Sequence, residues 1–117
     1  MNFKFEKLII WQNAMTYGEK IYLLTKKFPK DELYNLTSQT RRAVDSIALN
    51  IAEGSIGQSD REQKKFIGYA IRSLAEVITC LHKALRREYI LQQEFDKHYA
   101  EGFSLMNMLN AFKNKIN

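Results

Sequence analysis

The third predicted helix carries basic side chains whose chemistry suits the binding of phosphate groups. They recur at intervals that place them on one helix face, and we call them the basic stripe: Arg61, Lys65, Arg72, Lys83 and Arg86, with Lys64 and Arg87 alongside. Clustered Lys and Arg can contact nucleic-acid phosphates, acidic protein surfaces or anionic lipid headgroups. An ordinary solvated helix face shows the same pattern, so the stripe alone does not choose between these alternatives.

A line of polar side chains follows the second predicted helix, and two polar residues of the third helix could meet it. The seven residues are Gln39, Arg42, Ser46, Asn50 and Glu53 on the second helix, and Ser73 and Glu76 on the third. We favour a hydrogen-bonded network between the helices over a ligand or partner surface, because buried polar groups are normally paired. The pattern predicts an ion pair between Arg42 and Glu76. Arg41, rotated by about 100° from Arg42, is predicted to contact solvent or a partner such as nucleic acid.

Residues that could support catalysis or hold a metal are few in this sequence. The only histidines, His82 and His98, stand sixteen residues apart, and neither belongs to the Glu-x-x-His arrangement of di-iron bundles. No arginine precedes either histidine by the four to six residues of the Arg-x-His motif of helical RNases. Cys80 is the only cysteine, and no Gly-rich phosphate loop or nucleophile motif is present. We therefore expect a protein with no enzymatic activity, metal, cofactor or small-molecule substrate.

Length and composition indicate one small helical domain. The chain has 117 residues, of which 45% are hydrophobic, enough for a single continuous core that spans residues 1–117. One proline and five glycines are too few for the turns of a many-stranded β protein. No apolar run reaches the roughly 18 to 20 residues that cross a bilayer, and the first residues do not resemble a signal peptide. We expect a cytoplasmic protein, and its net charge of +5 favours anionic partners.

Apolar periodicity predicts four helices. The first runs over residues 6–28 and ends at Pro29, since proline disfavours helical geometry in the residue before it. Residues 30–36 are predicted to form only a short turn. Thr37 or Ser38 then caps a second helix that continues to Glu53, with Gly54 as its stop.

The second half of the chain begins with the clearest local boundary. Ser59 followed by Glu62 three residues later has the pattern of a capping box, and the third and longest helix should continue from there to residue 88. A break at residues 89–91 separates it from the fourth helix, which extends almost to the end of the chain. Four helices with short connections fold most simply as an antiparallel up-down-up-down bundle.

The first helix has a wider apolar face than one side of a bundle requires. Two neighbouring lines of apolar residues run along it, and the aromatic members include Trp11, Tyr17 and Tyr22. Large exposed apolar surfaces are uncommon on monomers, so we predict that these three residues lie at a subunit interface of a homo-oligomer. Alternatively, the tyrosines cover their own bundle, with their hydroxyl groups in water.

Several strings resemble those of a bacterial family. They are Phe28-Pro29, Leu36-Thr37-x-Gln39-x-Arg41-Arg42-Ala43-x-x-Ser46-Ile47, Asn50-Ile51-Ala52-Glu53-Gly54 and Ala70-x-x-Ser73-x-x-Glu76. Together they resemble the 23S rRNA intervening-sequence proteins, sometimes labelled S23 ribosomal proteins. The resemblance extends from the region of Trp11 to the last helix; Asn35 stands where the family often has glycine.

The resemblance implies a four-helix bundle. It also implies a homopentamer, because a related branch forms basic pentameric barrels that bind a reverse transcriptase and nucleic acid. The members of that branch are the accessory variability proteins of diversity-generating retroelements. Together with the basic stripe, the resemblance suggests an oligomeric protein that contacts structured RNA through the sugar-phosphate backbone and does not depend on Arg42 for this contact. The alternative is a protein-interaction or scaffolding module that binds no nucleic acid.

Overall fold

The computed structural model of the protein describes residues 1–57 and 59–116 and confirms the all-α prediction. Four α-helices follow one another: α1 (Ile9–Thr25), α2 (Ser38–Ile56), α3 (Asp60–Arg86) and α4 (Gln92–Asn114). A short 3₁₀ turn, Lys4–Lys7, precedes α1, and no strand occurs in the described residues. Within those same residues, no helix is long and apolar enough to cross a membrane.

The four helices form an antiparallel bundle because short connections reverse the chain between successive helices. α2 packs between α1 and α3, and α4 closes the arrangement against α3 and α1, so the α1–α2 face lies opposite the α3–α4 face. The molecule measures 43 × 24 × 23 Å. Its core contains at least one fully buried aliphatic side chain from every helix: Ile21, Ile47, Leu74, Leu81 and Leu109.

The connection between α1 and α2 is more ordered than the short turn that the sequence predicts. A 3₁₀ turn at Lys30–Glu32 runs directly into a π-helical turn at Leu33–Thr37. Neither Thr37 nor Ser38 caps α2 through its side chain. The Glu32 carboxylate instead accepts a hydrogen bond from the backbone N–H of Leu36, 3.3 Å away, just before α2 begins.

Gly54 does not end α2, contrary to the sequence prediction. The helix continues to Ile56 and stops before Gly57, while Gly54 is buried against α3. A Cβ atom at position 54 would lie 2.9 Å from the Cβ of Phe66 and 3.3 Å from the carbonyl oxygen of Gln63. Glycine is therefore required here for the close approach of α2 and α3 and does not act as a helix stop.

Local hydrogen bonds determine where α3 begins and ends. The Oγ atom of Ser59 accepts a hydrogen bond from the backbone N–H of Glu62 at 3.1 Å, which confirms the predicted cap. At the other end the chain turns through Glu88, whose φ of 63° lies in the left-handed region. The N–H groups of Glu88 and Tyr89 bond back to the carbonyls of Leu85 and Ala84, as in a Schellman motif. The structure thus confirms the break predicted at residues 89–91.

Candidate nucleic-acid interface

An open cleft of about 1000 Å³ lies between the first half of α3 and the last turns of α4. Five cations line it, four from α3 and one from α4, and we call it the basic cleft: Arg61, Lys64, Lys65, Arg72 and Lys113. Ser59, Glu62, Gly68, Tyr69, Ile71 and Asn110 complete its lining. Glu62 is the only acidic residue in that lining, so the cleft carries a strong positive charge.

Helix geometry brings the cations of α3 together. Arg61, Lys65 and Arg72 are separated by four and seven residues and therefore lie along one helix face. Gly68 sits between them and has no side chain to fill the space; a Cβ atom there would meet only the Nζ of Lys113, at 3.7 Å. Because α3 and α4 are antiparallel, the last turn of α4 lies beside the first turns of α3, which is how Lys113 joins the cleft.

The cations of the basic cleft are available to a ligand. Arg61, Lys64, Lys65 and Arg72 are all exposed, and Lys113 is half-buried. Within the described residues, none of the five forms an ion pair with a carboxylate. An exposed cation without an internal partner retains its full charge for an external phosphate. This unpaired state distinguishes the cleft cations from Arg87, which forms an ion pair with Glu32.

An aromatic residue that the sequence analysis did not select also lines the cleft. The Tyr69 side chain is 38% exposed, and its ring packs edge-on against Phe66 with 5.5 Å between ring centroids. The Nζ of Lys65 lies 5.7 Å from the Phe66 centroid and 6.0 Å from that of Tyr69. Its position in the sequence could have indicated this role, since Tyr69 stands four residues after Lys65 and three before Arg72.

The basic stripe does not form one continuous surface. Lys83 and Arg86 are exposed, but they lie beyond the cleft, with Lys83 eleven residues and about 16 Å along the helix from Arg72. Both residues fall in the last turn of α3, where cations stabilise the negative end of the helix dipole. The stripe therefore divides into a cleft group and a pair at the far end of α3.

Arg87 and Arg41, both predicted to bind nucleic acid, are engaged within the bundle and are less available to a phosphate than the cations of the basic cleft. Arg87 forms an ion pair with Glu32 at 3.0 Å. The Nε of Arg41 donates a hydrogen bond to the Oγ1 of Thr25 at 2.8 Å, and its guanidinium group lies 4.5 Å from the centroid of the Tyr22 ring. Arg41 thus ties α2 to α1, although the sequence predicted it as a solvent or partner contact.

The polar line of α2 does meet α3, but not through the predicted ion pair. The Oγ atoms of Ser46 and Ser73 lie 2.7 Å apart, and the amide of Asn50 donates to the carbonyl oxygen and Oγ of Ser46. Gln39 contacts Glu76 at 3.5 Å. The Ser46–Ser73 and Gln39–Glu76 contacts join α2 to α3, as the structural interpretation predicts, whereas the bonds of Asn50 stay within α2.

The predicted pair of Arg42 with Glu76 is wrong. Arg42 is exposed and, within the described residues, forms no ion pair with Glu76. An exposed pair would have stabilised the fold by at most about 1 kcal/mol, which does not outweigh solvation of the guanidinium group. Glu53, at the far end of the line, is also exposed and lies outside the hydrogen bonds among these serines and Asn50. Across the described part of the chain, no three metal-ligating side chains cluster as a metal site would require.

The fold and the match to a family model agree. The model of the 23S rRNA-intervening sequence protein matches residues 6–111, which include nearly all of the four helices and every cleft residue except Lys113. The chain belongs to the 23S rRNA-intervening sequence protein family. A comparison with curated proteins found no significant match.

The predicted subunit-interface residues of this intervening-sequence family member have different environments. Tyr17 is buried, and its hydroxyl group donates a hydrogen bond to the carbonyl oxygen of His98 at 3.0 Å. Burial, with the nearby charge of Glu101, raises the pKa of Tyr17 far above its ordinary value. Tyr17 therefore lies inside its own bundle, with its hydroxyl group bonded to α4 and not open to solvent. Trp11 is half-buried, and Tyr22 is exposed beside Arg41.

Two apolar grooves lie on opposite faces of this family member. The α1–α2 groove, of about 400 Å³, is lined by Trp11, Met15, Leu49 and their neighbours. The α3–α4 groove, of about 310 Å³, is lined by Ala75, Ile78, Tyr99, Gly102, Phe103 and Met106. The second groove was not predicted, although aromatic residues at positions 95, 99 and 103 recur every four residues on α4, with 5.6 and 6.5 Å between successive ring centroids.

Proposed function

We propose that this member of the 23S rRNA-intervening sequence protein family is a non-enzymatic oligomer that binds structured RNA through the basic cleft of α3 and α4. The supporting observation is the group of five cations around one concavity with no carboxylate partner among the described residues. A carboxylate partner would have to be displaced by a phosphate, whereas an unpaired cation exchanges only water and counterions.

The dimensions of the cleft suit a nucleic-acid backbone. Arg61 and Arg72 lie about 16 Å apart along α3, a length that corresponds to several phosphates of one strand. Lys64 and Lys113 place further charge on the side of the cleft next to α4. Contacts of this kind depend on phosphate charge and carry little sequence information. We therefore expect weak sequence preference and a steep dependence of affinity on salt.

The test compares two triple variants that remove the same charge from different places. The cleft variant is Arg61→Gln with Lys65→Gln and Arg72→Gln. The control is Lys7→Gln with Lys30→Gln and Lys97→Gln, three exposed lysines outside the cleft that form no ion pair within the described residues. RNA affinity is measured from 50 to 300 mM salt, on protein freed of RNA as judged by the absorbance ratio at 260 and 280 nm.

The cleft variant should reduce the slope of log affinity against log salt by about 2 to 3, since each phosphate contact contributes about 0.7 to 0.9. The control should keep most of the slope. Equal slopes for the two variants would mean that binding follows net charge and not the cleft. Absence of RNA binding by the parent protein would leave the scaffolding module as the better proposal, with the two apolar grooves as its contact surfaces.

The oligomeric part of the proposal rests on those grooves. Leu49 at the edge of the α1–α2 groove is 63% exposed, and Phe103 at the α3–α4 groove is 59% exposed. Because the two surfaces differ and lie on opposite faces, they suit a head-to-tail contact in which one groove meets the other on the next copy. Such contacts close into a ring, and resemblance to the retroelement branch favours five subunits. A ring repeats the basic cleft around the assembly and strengthens weak phosphate contacts.

A further inference from the structure

Tyr69 gives the basic cleft a feature that phosphate binding does not need. An exposed tyrosine ring stands among the cations of α3, while its edge-on contact with Phe66 supports it from within. Cations bind the backbone of a nucleic acid, but a flat aromatic face binds the flat face of a base. In a duplex, neighbouring base pairs cover those faces, and they become accessible only in loops, bulges and single strands.

We propose that the basic cleft takes an unpaired segment of RNA, with one base stacked on the Tyr69 ring and the flanking phosphates on Arg61, Lys65 and Arg72. This inference rests on the proposed function and names the class of RNA. The cations lie within three to eight residues of Tyr69 on the same helix, so one strand can contact both. Gly68, next to Tyr69, leaves the floor of the cleft free of a side chain.

The ring is held in a way that suits stacking. Phe66 packs against the Tyr69 ring and limits its position. The Cβ of Phe66 in turn lies close to Gly54, so Phe66 is fixed in the interface between α2 and α3. The Nζ of Lys65 lies near both rings. A ring that is already positioned loses little conformational freedom when a base stacks on it.

The experiment uses the full chain and two RNA probes with the same number of nucleotides: an unpaired oligonucleotide and a blunt duplex of half its length. Three variants are compared. Tyr69→Leu removes the aromatic face but keeps apolar bulk, and Tyr69→Phe keeps the face and loses only the hydroxyl group. Tyr34→Leu is the control, since Tyr34 is 92% exposed and lies outside the cleft, in the turn before α2.

For the unpaired probe, Tyr69→Leu should weaken binding about 5- to 150-fold, which corresponds to the loss of one base–aromatic stack. Tyr69→Phe and Tyr34→Leu should stay within about twofold of the parent. Duplex binding should be unaffected by all three variants. Because no cation is removed, the salt slope of Tyr69→Leu should equal that of the parent protein.

A second readout needs no variant. The fluorescence of 2-aminopurine placed in the unpaired probe should fall on binding to the parent protein, because stacking quenches it. The inference would be overturned if Tyr69→Leu bound the unpaired probe as tightly as the parent protein does and the parent protein did not quench the 2-aminopurine fluorescence. If the salt slope still depended on Arg61, Lys65 and Arg72, phosphate binding in the cleft would stand without the stacked base. Loss of the salt-dependent binding itself would instead overturn the proposed function.

Discussion

At the scale of single residues, Glu32 shows how a buried carboxylate organises one end of the bundle. Its oxygens accept hydrogen bonds from the hydroxyl of Tyr89 at 2.5 Å, from Arg87 at 3.0 Å and from the amide of Asn35 at 3.0 Å, besides the N–H of Leu36. These contacts connect the turn before α2 to the turn after α3. The Tyr89 hydroxyl, followed by the Leu36 N–H, Asn35 and Arg87, holds the pKa of Glu32 below its ordinary value of 4.5 despite its burial.

This lowered pKa makes a prediction about acid stability. A carboxylate whose pKa is lower in the folded state stabilises the fold above its unfolded pKa, and this contribution is lost as the pH falls through the folded pKa. Glu32→Gln should therefore lower the urea midpoint of unfolding at pH 7. Between pH 5 and pH 3 its midpoint should fall less than that of the parent protein. Urea denaturation across this range, followed by circular dichroism, measures the difference.

The matched control for Glu32→Gln is Glu19→Gln, which neutralises an exposed carboxylate of α1. Its pH profile should follow that of the parent protein. If the profiles of Glu32→Gln and the parent had the same slope below pH 5, the hydrogen bonds around Glu32 would contribute nothing to acid stability.

Single residues also mark the limit of what the sequence could predict. Helical spacing placed Arg61, Lys65 and Arg72 on one face of α3, and the structure brings all three into the basic cleft. Spacing could not show that Arg87 has a partner, because Glu32 lies 55 positions away in the chain. Likewise, an aromatic residue between cations has no recognisable pattern until the neighbouring helix shapes a cleft around it.

At the scale of helices, sequence and structure agree where local chemistry decides the outcome. Periodicity and the Ser59 cap predicted α3 to within a few residues of its ends. Agreement is poorest at residues 30–37, where the π turn depends on the distant contacts of Glu32. It also fails at Gly54, because a glycine near a helix end is locally indistinguishable from one that a neighbouring helix requires.

Gly54→Ala tests the close approach of α2 and α3. The added methyl group would lie 2.9 Å from the Cβ of Phe66, which is attached to backbone and cannot rotate away. The helices must separate slightly, so we expect a loss of about 1 to 3 kcal/mol in the free energy of unfolding. A helix stop would behave differently, since the substitution would then mainly affect fraying of the last turn.

Gly68→Ala is the control for this prediction. Gly68 lies inside α3, where an added Cβ meets only the flexible end of Lys113 at 3.7 Å. Alanine is favoured over glycine in a helix interior, so this variant should gain about 0.5 to 1 kcal/mol. Opposite signs for the two substitutions in thermal or urea denaturation would establish packing as the reason for Gly54. A neutral or stabilising Gly54→Ala would contradict the close contact.

At the scale of the whole molecule, the basic cleft and the two apolar grooves are distributed over two opposite faces. The α3–α4 face carries both the basic cleft and, one helical turn beyond Arg72, the apolar groove that begins at Ala75. The opposite face carries the α1–α2 groove, with Leu49 at its edge. The sequence predicted surplus apolar surface on α1, and Met15 bears this out with 45% exposure. It could not predict the second groove, because that depends on how α3 and α4 align.

Head-to-tail assembly makes a prediction that self-paired contacts do not share. Leu49→Gln breaks only the α1–α2 groove, and Phe103→Gln breaks only the α3–α4 groove. If one groove contacts the other, each variant alone should be a monomer of 13.7 kDa by light scattering, while the parent protein forms a ring of several such masses. Each variant still has one intact groove, and the two intact grooves are complementary. Mixing the variants should therefore produce a heterodimer of twice the monomer mass.

The heterodimer should not grow beyond two chains, because each of its two unoccupied grooves carries a substitution that prevents contact. A self-paired contact would give a different result: one variant would stay oligomeric, the other would be a monomer, and mixing them would create nothing new. Leu33→Gln serves as the control, since Leu33 is exposed in the turn before α2 and lines neither groove. A parent protein that stays at 13.7 kDa at every concentration would exclude the ring, and each basic cleft would then have to bind RNA without help from neighbouring subunits.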